Sequence, residues 1–440
     1  MNRAERILKK TGIIFGWTVA SLLLLIAIVI LLIRTPWAQQ RITEKASTYI
    51  SKKTGAPLRV SKLYITFSGN VLVKGLYAET PKGDTLVYFR SLEAGVAFLP
   101  LLYRNLVVKK IDWEGLRLNV TRTLPDSTFN FDYLLKAFAG DTTTVIEDKS
   151  QSKPFKIHIG DVYLSDSRIL YQDEVAGIDA FANLGELYID SRDIDIQKMD
   201  FKLRELTLKN TEIKLTINTA PSSDTTTEPT SSSIPIVSVK EIALEKINFI
   251  FNDPSDSLFT TVNLGSFSGE APSINLTEKT IRLGEIELAN SFVRIQLPAP
   301  KEKSVTTLTT NKSTSNSPLL SLPDWDIKLK KLELVNNDFQ FHRGTTLSAT
   351  NKFDQNHILL SGLTCSLQDA EYTQKTMETQ LSSLSLKERS GFEIKTISFQ
   401  LLLDKNSLTL KKLELITANS ELHADGLFAF KSLDAFLYKP

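Results

Sequence analysis

Apolar and polar residues alternate with a period of two along most of the chain after residue 57. This alternation is typical of β-strands that bury one face. It also recurs as a unit with apolar residues at offsets 0, 2, 5, 7, 12 and 14 from its first position. Six complete copies start at Leu106, Ile157, Phe201, Val237, Ile281 and Ile327, and a seventh starts at Leu408 and fails only at Ser420. A worn copy, which matches the spacing only in part, lies near Leu381, Leu384 and Leu386. The recurrence predicts an elongated stack of similar β-units.

Two irregular steps within the unit predict how each copy folds. The step of three between offsets 2 and 5 brackets a polar pair such as Lys109-Lys110. One extra residue there is a β-bulge, which keeps both halves of the strand apolar on the same face and bends the strand. The step of five between offsets 7 and 12 spans turn-forming residues such as Asn336-Asn337-Asp338, which predicts a hairpin. The sequence therefore predicts a mainly β protein, with a bent antiparallel sheet of repeated hairpins.

Two short helices are predicted near the N-terminus. Ala38–Lys53 has apolar residues at helical spacing and is followed by Gly55, which predicts an amphipathic helix that continues from a membrane segment. Residues 130–139 have Asn130 as the expected N-cap and Gly140 as the stop signal.

Three stretches rich in Thr, Ser, Pro and Lys interrupt the repeat, at residues 140–153, 219–233 and 299–318. They have few large apolar residues, so they cannot bury enough surface to order themselves. They are predicted to be flexible insertions at the edge of one continuous sheet. Linkers between separate domains are the alternative.

An uncharged run of 21 residues, 13–33, lies near the N-terminus. As a helix it would span about 30 Å, the thickness of a bilayer core. A cleavable export signal has a shorter apolar region and a small-x-small cleavage site, so residues 13–34 are predicted to be an uncleaved single-pass anchor. The cations of residues 1–12 place this tail in the cytoplasm and the bulk of the chain across the membrane; they are Arg3, Arg6, Lys9 and Lys10.

Composition gives little sign of catalytic or metal chemistry. The net charge of +2 gives no field that would favour nucleic acid, and the single cysteine, Cys365, excludes an intramolecular disulfide. No two of the four histidines have the spacing of metal ligands, and the glycine-rich, nucleophile-elbow and zinc-protease motifs are absent. The sequence thus predicts a protein that is not an enzyme and has no cofactor or metal.

Several N-terminal segments together resemble the AsmA-like family, which includes the TamB-type translocation and assembly proteins of Gram-negative bacteria. The resembling segments are the strands Leu58–Thr66 and Val71–Leu76, Gly83-Asp84-Thr85-Leu86, Leu99-Pro100-Leu101-Leu102, Leu106–Val120 and Leu124–Leu135. The resemblance covers about residues 1–140, and beyond them only the repeat supports it. Asp126-Ser127-Thr128-Phe129-Asn130 replaces the family's usual Asp-Gly before Asn. TamB-type proteins are longer, so a short family member and a piece of a longer chain both stay open.

The resemblance implies an elongated sheet whose apolar face lines an open groove, as in bridge-like lipid carriers. Residues 35–139 would form the AsmA-like N-terminal region and residues 154–440 the repetitive β-groove. The implied protein is anchored in the inner membrane with its bulk in the periplasm, binds phospholipid acyl chains and supports lipid transport and outer-membrane biogenesis. The predicted groove residues are Trp113, Ile169, Tyr171, Ile213, Phe249, Phe251, Val293, Phe339 and Phe341.

Three alternatives remain at this point. These residues would instead fill a dry core if two sheets packed together. The sheet would otherwise act as a non-enzymatic scaffold that pairs by its edge with an outer-membrane barrel assembly protein. A plain structural or adhesive β-protein is the third interpretation, which the uncleaved anchor disfavours.

Overall fold

The architecture is one large mixed β-sheet with few helices. A computed structural model describes residues 35–65, 70–97, 100, 105–125, 127–138, 156–195, 199–218, 236–299, 324–344 and 352–431. The helices are α1 (Pro36–Thr54) and α2 (Asp132–Phe138). The strands are β1 (Leu58–Ile65), β2 (Asn70–Glu79), β3 (Thr85–Ala97), β4 (Asn105–Glu114), β5 (Arg117–Thr123), β6 (Thr128–Phe129), β7 (Lys156–Asp173), β8 (Ile178–Asp195), β9 (Asp200–Ile217), β10 (Ile236–Asp253), β11 (Leu258–Asn275), β12 (Thr280–Ala289), β13 (Phe292–Leu297), β14 (Asp326–Arg343), β15 (His357–Tyr372), β16 (Met377–Glu388), β17 (Glu393–Leu403), β18 (Ser407–Thr417) and β19 (Glu421–Ala429).

The strands lie side by side in the order of the chain. β4 and β5 follow each other end to end between β3 and β7, and β12 and β13 do the same between β11 and β14. The two-residue strand β6 pairs with the end of β5. The mainly β prediction is confirmed, and the sheet continues across all three polar interruptions of the sequence.

The prediction of a wholly antiparallel sheet is wrong. Neighbours are parallel at three places, namely β4 and β5 with β7, β9 with β10, and β12 and β13 with β14. A tight hairpin can join only antiparallel strands, because parallel neighbours start at the same end of the sheet. The three polar stretches of the sequence lie in these three connections, and apart from residue 299 they fall outside the described residues.

The predicted hairpin is also wrong for the six complete repeat copies. In the seventh copy the chain does turn, and Leu415 of β18 pairs with Leu422 of β19. Offsets 0 to 14 lie within a single strand in β7, β9, β10 and β14, and within two end-to-end strands in the other two complete copies. The residue at offset 9 adopts a left-handed backbone with φ between +45° and +68° in all six; these residues are Gly115, Asp166, Asn210, Lys246, Asn290 and Asn336. Residues that favour turns also favour the left-handed backbone, so the step of five is a left-handed kink within the strand, through which neighbouring strands stay paired one residue to one in β7–β8, β8–β9 and β10–β11. It keeps offsets 12 and 14 on the same face as offset 7.

Parallel neighbours pair copy to copy at equal offsets. Leu203 lies opposite Val239, and Leu283 lies opposite Leu329, each pair at offset 2 of its copy. The bulges of neighbouring copies are therefore aligned across the sheet. The worn copy lies in β16, and the seventh lies mainly in β18, both oriented like the complete copies.

Helix α1 matches its prediction closely. Thr35 caps its start, since the Thr35 Oγ1 accepts a hydrogen bond from the Ala38 N–H at 3.3 Å. Gly55 ends it with φ of +70°, a conformation that glycine adopts at little cost.

Helix α2 starts two residues later than predicted, and Asn130 is not its N-cap. Asn130 instead bonds to β5, donating from Nδ2 to the Asn119 carbonyl at 2.9 Å and accepting from the Thr121 N–H at 3.1 Å. The predicted end at residues 139–140 lies outside the described residues.

None of the described helices is long and apolar enough to cross a membrane. The predicted anchor, residues 13–33, lies outside the described part of the chain.

Candidate functional site: the apolar face of the sheet

One face of the sheet has an unbroken apolar row that crosses it from β1 to β19. Residues paired in register across neighbouring strands project to the same face, so the strand pairing traces the row directly. The offset-7 row consists of sixteen residues: Leu63, Val73, Leu92, Trp113, Leu164, Leu187, Leu208, Leu244, Phe267, Leu288, Leu334, Cys365, Leu384, Ile397, Leu415 and Leu422. No polar residue interrupts it.

Two shorter rows contain eight of the nine predicted groove residues, and Trp113 lies in the offset-7 row. The offset-12 row is Leu118, Ile169, Ala182, Ile213, Phe249, Val262, Val293, Phe339 and Leu360. The offset-14 row is Val120, Tyr171, Ala180, Leu215, Phe251, Thr260, Ile295, Phe341 and Ile358. The structure thus places all nine residues on one face, which we call the apolar face.

Sequence reasoning missed the antiparallel strands that lie between the repeat copies. Leu187 in β8, Phe267 in β11 and Ile397 in β17 continue the offset-7 row between copies. Their own alternation of apolar and polar residues was the available signal. This alternation does not show which repeat copies each of these strands pairs with, because pairing involves residues that are distant along the chain.

All nine predicted groove residues are half-buried and none is fully buried. Among the described residues only eleven hydrophobic side chains are fully buried, and four of these are alanines: Ala56, Ala78, Leu86, Phe89, Leu116, Val239, Ile247, Ala271, Ala289, Cys365 and Leu381. Large apolar residues in a closed core are commonly buried almost completely. The apolar face therefore keeps more contact with solvent than the interior of a packed sandwich does.

A buried row at offset 10 separates the offset-7 row from the offset-12 row. Its members are Leu116, Ser167, Thr211, Ile247, Ser291 and Asn337. The polar members bond to the backbone beside the left-handed kinks: Ser291 Oγ donates to the Ala289 carbonyl at 3.0 Å, and Asn337 Nδ2 donates to the Leu288 carbonyl at 2.8 Å. These donors are satisfied within the sheet, so they add little polarity to the apolar face.

The opposite face is charged and exposed. Lys209 pairs with Glu245 at 4.0 Å, Lys328 pairs with Glu371 at 2.9 Å, and the Arg204 Nε donates to Asp190 at 2.8 Å. Hydrogen bonding from Arg204 lowers the pKa of Asp190. Exposed pairs of this kind contribute about 0–1 kcal/mol each to stability. Their main consequence is that this face stays in water.

One predicted groove residue, Tyr171, is also part of a polar corner. Its hydroxyl donates to Asp173 Oδ2 at 2.9 Å, and the Arg122 Nε donates to Asp173 Oδ1 at 2.8 Å. Hydrogen bonding from Arg122 holds the pKa of Asp173 at about 2. Arg122 also lies 4.8 Å above the ring of Phe129. Sequence patterns do not predict this corner, because Arg122 and Asp173 are far apart along the chain.

Two histidines that sequence reasoning treated as isolated lie together on the charged face. The Nδ1 atoms of His342 and His357 are 3.2 Å apart across β14 and β15. Burial and the neighbouring His357 lower the pKa of His342. The described residues contain no group of three or more His, Cys, Asp or Glu side chains that could hold a metal ion.

Comparison with protein-family models, with curated proteins and with solved structures gives no match to this chain.

Proposed function

We propose that this protein is an inner-membrane-anchored, periplasmic, AsmA/TamB-like lipid carrier. The acyl chains of phospholipids would lie on the apolar face while their headgroups stay in water, and the protein would support phospholipid transport and outer-membrane biogenesis. One observation supports this most directly: the offset-7 row is apolar across sixteen strands, and its large side chains are half-buried except for the exposed Leu422. A single apolar face of this extent needs a cover, and lipid provides one.

The dimensions of the row favour lipid over a small apolar ligand. At about 4.8 Å between strands, sixteen strands extend for about 70 Å, several times the length of one acyl chain. Each methylene removed from water would contribute about 0.8 kcal/mol wherever it lies on the row. Binding of this kind discriminates little between acyl chains and allows several lipids to occupy the face at once.

The membrane part of the proposal rests on sequence. Residues 13–33 have the length and composition of an anchor, and the cations before them favour a cytoplasmic N-terminus. The resemblance of residues 1–140 to the AsmA-like family supports the same location and the same class of cargo.

Charge placed on the apolar face tests the proposal. Residues 35–440 would be produced in a Gram-negative periplasm, purified without detergent and examined by native mass spectrometry. We expect several co-purifying phospholipids, and a loss of at least about tenfold when Phe249 and Phe339 are both changed to Asp, because a carboxylate is costly to bury against acyl chains. The matched control is Ile250→Asp with Gln340→Asp, the next residues on the same strands, which face the opposite side.

Two results would contradict lipid binding. One is a folded protein that contains no lipid and takes up none from added vesicles. The other is equal lipid content in the apolar-face variant and its control.

A scaffold that pairs by its edge with an outer-membrane barrel assembly protein is the second candidate. It is favoured by β19, which among the described strands has no partner beyond β18 and exposes Leu427 and Phe428. Unpaired strand edges are sites where another chain can add a strand. A folded, lipid-free protein in the same experiment would favour this function.

A further inference from the structure

Helix α1 has an inverted polarity. The side that faces β1 is polar, with Gln39 and Thr43 only 7% and 6% exposed. Thr43 Oγ1 donates to the Gln39 carbonyl at 2.7 Å, so its hydroxyl is satisfied within the helix. The solvent side instead exposes Trp37 at 71%, Tyr49 at 61% and Ile42 at 40%. Packing against the sheet does not account for these three side chains.

The same solvent side of α1 is strongly basic. It exposes four cations, Arg41, Lys45, Lys52 and Lys53, against the single anion Glu44. Glu44 Oε2 lies 3.7 Å from Arg41, and the Lys53 Nζ lies 5.9 Å from the Tyr49 ring centre. At 100° per residue, Arg41, Lys45 and Lys52 lie between Trp37 and Tyr49 around the helix. Aromatic rings interspersed with cations are typical of helices that lie in the headgroup region of anionic membranes.

The sequence before α1 indicates which surface is nearby. The uncharged run 13–33 ends two residues before the N-cap Thr35. Because α1 begins directly after the predicted anchor, a surface that contacts its exposed side would have to lie close to the membrane.

We propose that the exposed side of α1 lies on the membrane surface, with its aromatic rings at headgroup level and its cations on anionic phospholipid phosphates. The inference rests on the anchor in the proposed function and does not depend on lipid binding by the sheet. Since α1 is about 28 Å long and packs along β1, this contact would hold the first strand of the apolar face beside the headgroups.

Site-directed spin labelling of the full chain tests this contact. The chain would be reconstituted into vesicles of phosphatidylethanolamine and phosphatidylglycerol, with a nitroxide on Ile42→Cys or, as the matched control, on Gln40→Cys. Gln40 lies 160° from Ile42 around the helix and lines the cleft between α1 and β1. The native Cys365 is buried, and a Cys365→Ser background removes it from the labelling.

We expect the label at residue 42 to collide more with oxygen and less with a water-soluble nickel complex than the label at residue 40. Changing Lys52 and Lys53 to Glu should return the residue-42 label to water, since each cation near an anionic surface changes partition about fivefold. Equal charge changes at Lys395 and Lys405, at the far end of the sheet, should have no effect.

The possible failures are distinguishable. A chain that binds the vesicles while its residue-42 label stays in water overturns this inference alone. A chain that is not recovered with the vesicles overturns both this inference and the anchor. Lipid co-purification with residues 35–440 reports on the apolar face independently of either result.

Discussion

Replacing Gly185 with alanine is expected to destabilise the sheet by about 3 kcal/mol, at the upper end of the usual cost of overpacking. A Cβ at this position in β8 would lie 2.6 Å from the Asn210 carbonyl oxygen and 2.9 Å from that of Lys209. Both atoms belong to the backbone of the left-handed kink in β9, so they cannot rotate away as a side chain could. Urea unfolding of residues 35–440 would measure the loss, and hydrogen exchange should place it in β8 and β9.

The matched control is Gly426→Ala in β19. There the nearest atom to the added Cβ is Phe428 Cε2 at 3.0 Å, the end of an exposed side chain that can move. We expect a change below about 1 kcal/mol for this variant. Equal losses at Gly185 and Gly426 would mean that the backbone of Lys209 and Asn210 does not fill the space opposite Gly185.

Replacing Arg122 with alanine is expected to lower the free energy of unfolding by about 3 kcal/mol. The Asp173 side chain is only 1% exposed, so loss of the guanidinium leaves a buried carboxylate without its counter-charge. Tyr171 and the N–H groups of Val175 and Ala176 still donate to this carboxylate, which keeps the loss from being larger. The measurement is urea unfolding, with hydrogen exchange expected to increase in β5 and at the end of β7.

The control for this variant is Arg204→Ala, which breaks an exposed pair with Asp190 on the charged face and should cost less than about 1 kcal/mol. A loss at Arg122 no greater than at Arg204 would show that the corner adds no stability beyond a surface ion pair.

The same corner predicts how stability depends on pH. The pKa of Asp173 is lowered from 3.8 to about 2 in the folded protein, chiefly by hydrogen bonding from Arg122. A lowered carboxyl pKa adds stability above the unfolded pKa, and that stability is lost as the pH falls from about 4 to about 2. Between pH 5 and pH 2 the wild-type chain should therefore lose about 2 kcal/mol more than Asp173→Asn does. Parallel pH profiles for the two proteins would contradict this assignment.

The sequence by itself determined that the chain is mainly β and which residues of the repeat share the apolar face. The spacing of apolar residues at offsets 0, 2, 5, 7, 12 and 14 depends on the two-residue period of a strand, which is a local property of the backbone. Because the copies share one spacing, each apolar residue meets an apolar residue at the same offset in its parallel neighbour, as Leu203 meets Val239. The start and end of α1 followed in the same way from local signals at its termini, the end being marked by Gly55.

Only the tertiary structure decided whether the polar step after offset 7 is a turn or a kink within one strand. Asn, Asp and Gly favour the left-handed backbone that both require, so composition cannot separate the two; Asn210 and Asn290 could end a strand or continue it. The choice depends on which strands lie on either side, since a continuous neighbour such as β8 holds both halves of β9 in one line. The parallel pairs, the space that Gly185 leaves for the kink in β9, and the contact of Arg122 with Asp173 all depend on residues distant in the chain. Local sequence patterns do not predict such contacts, because the residues meet only once the sheet has formed.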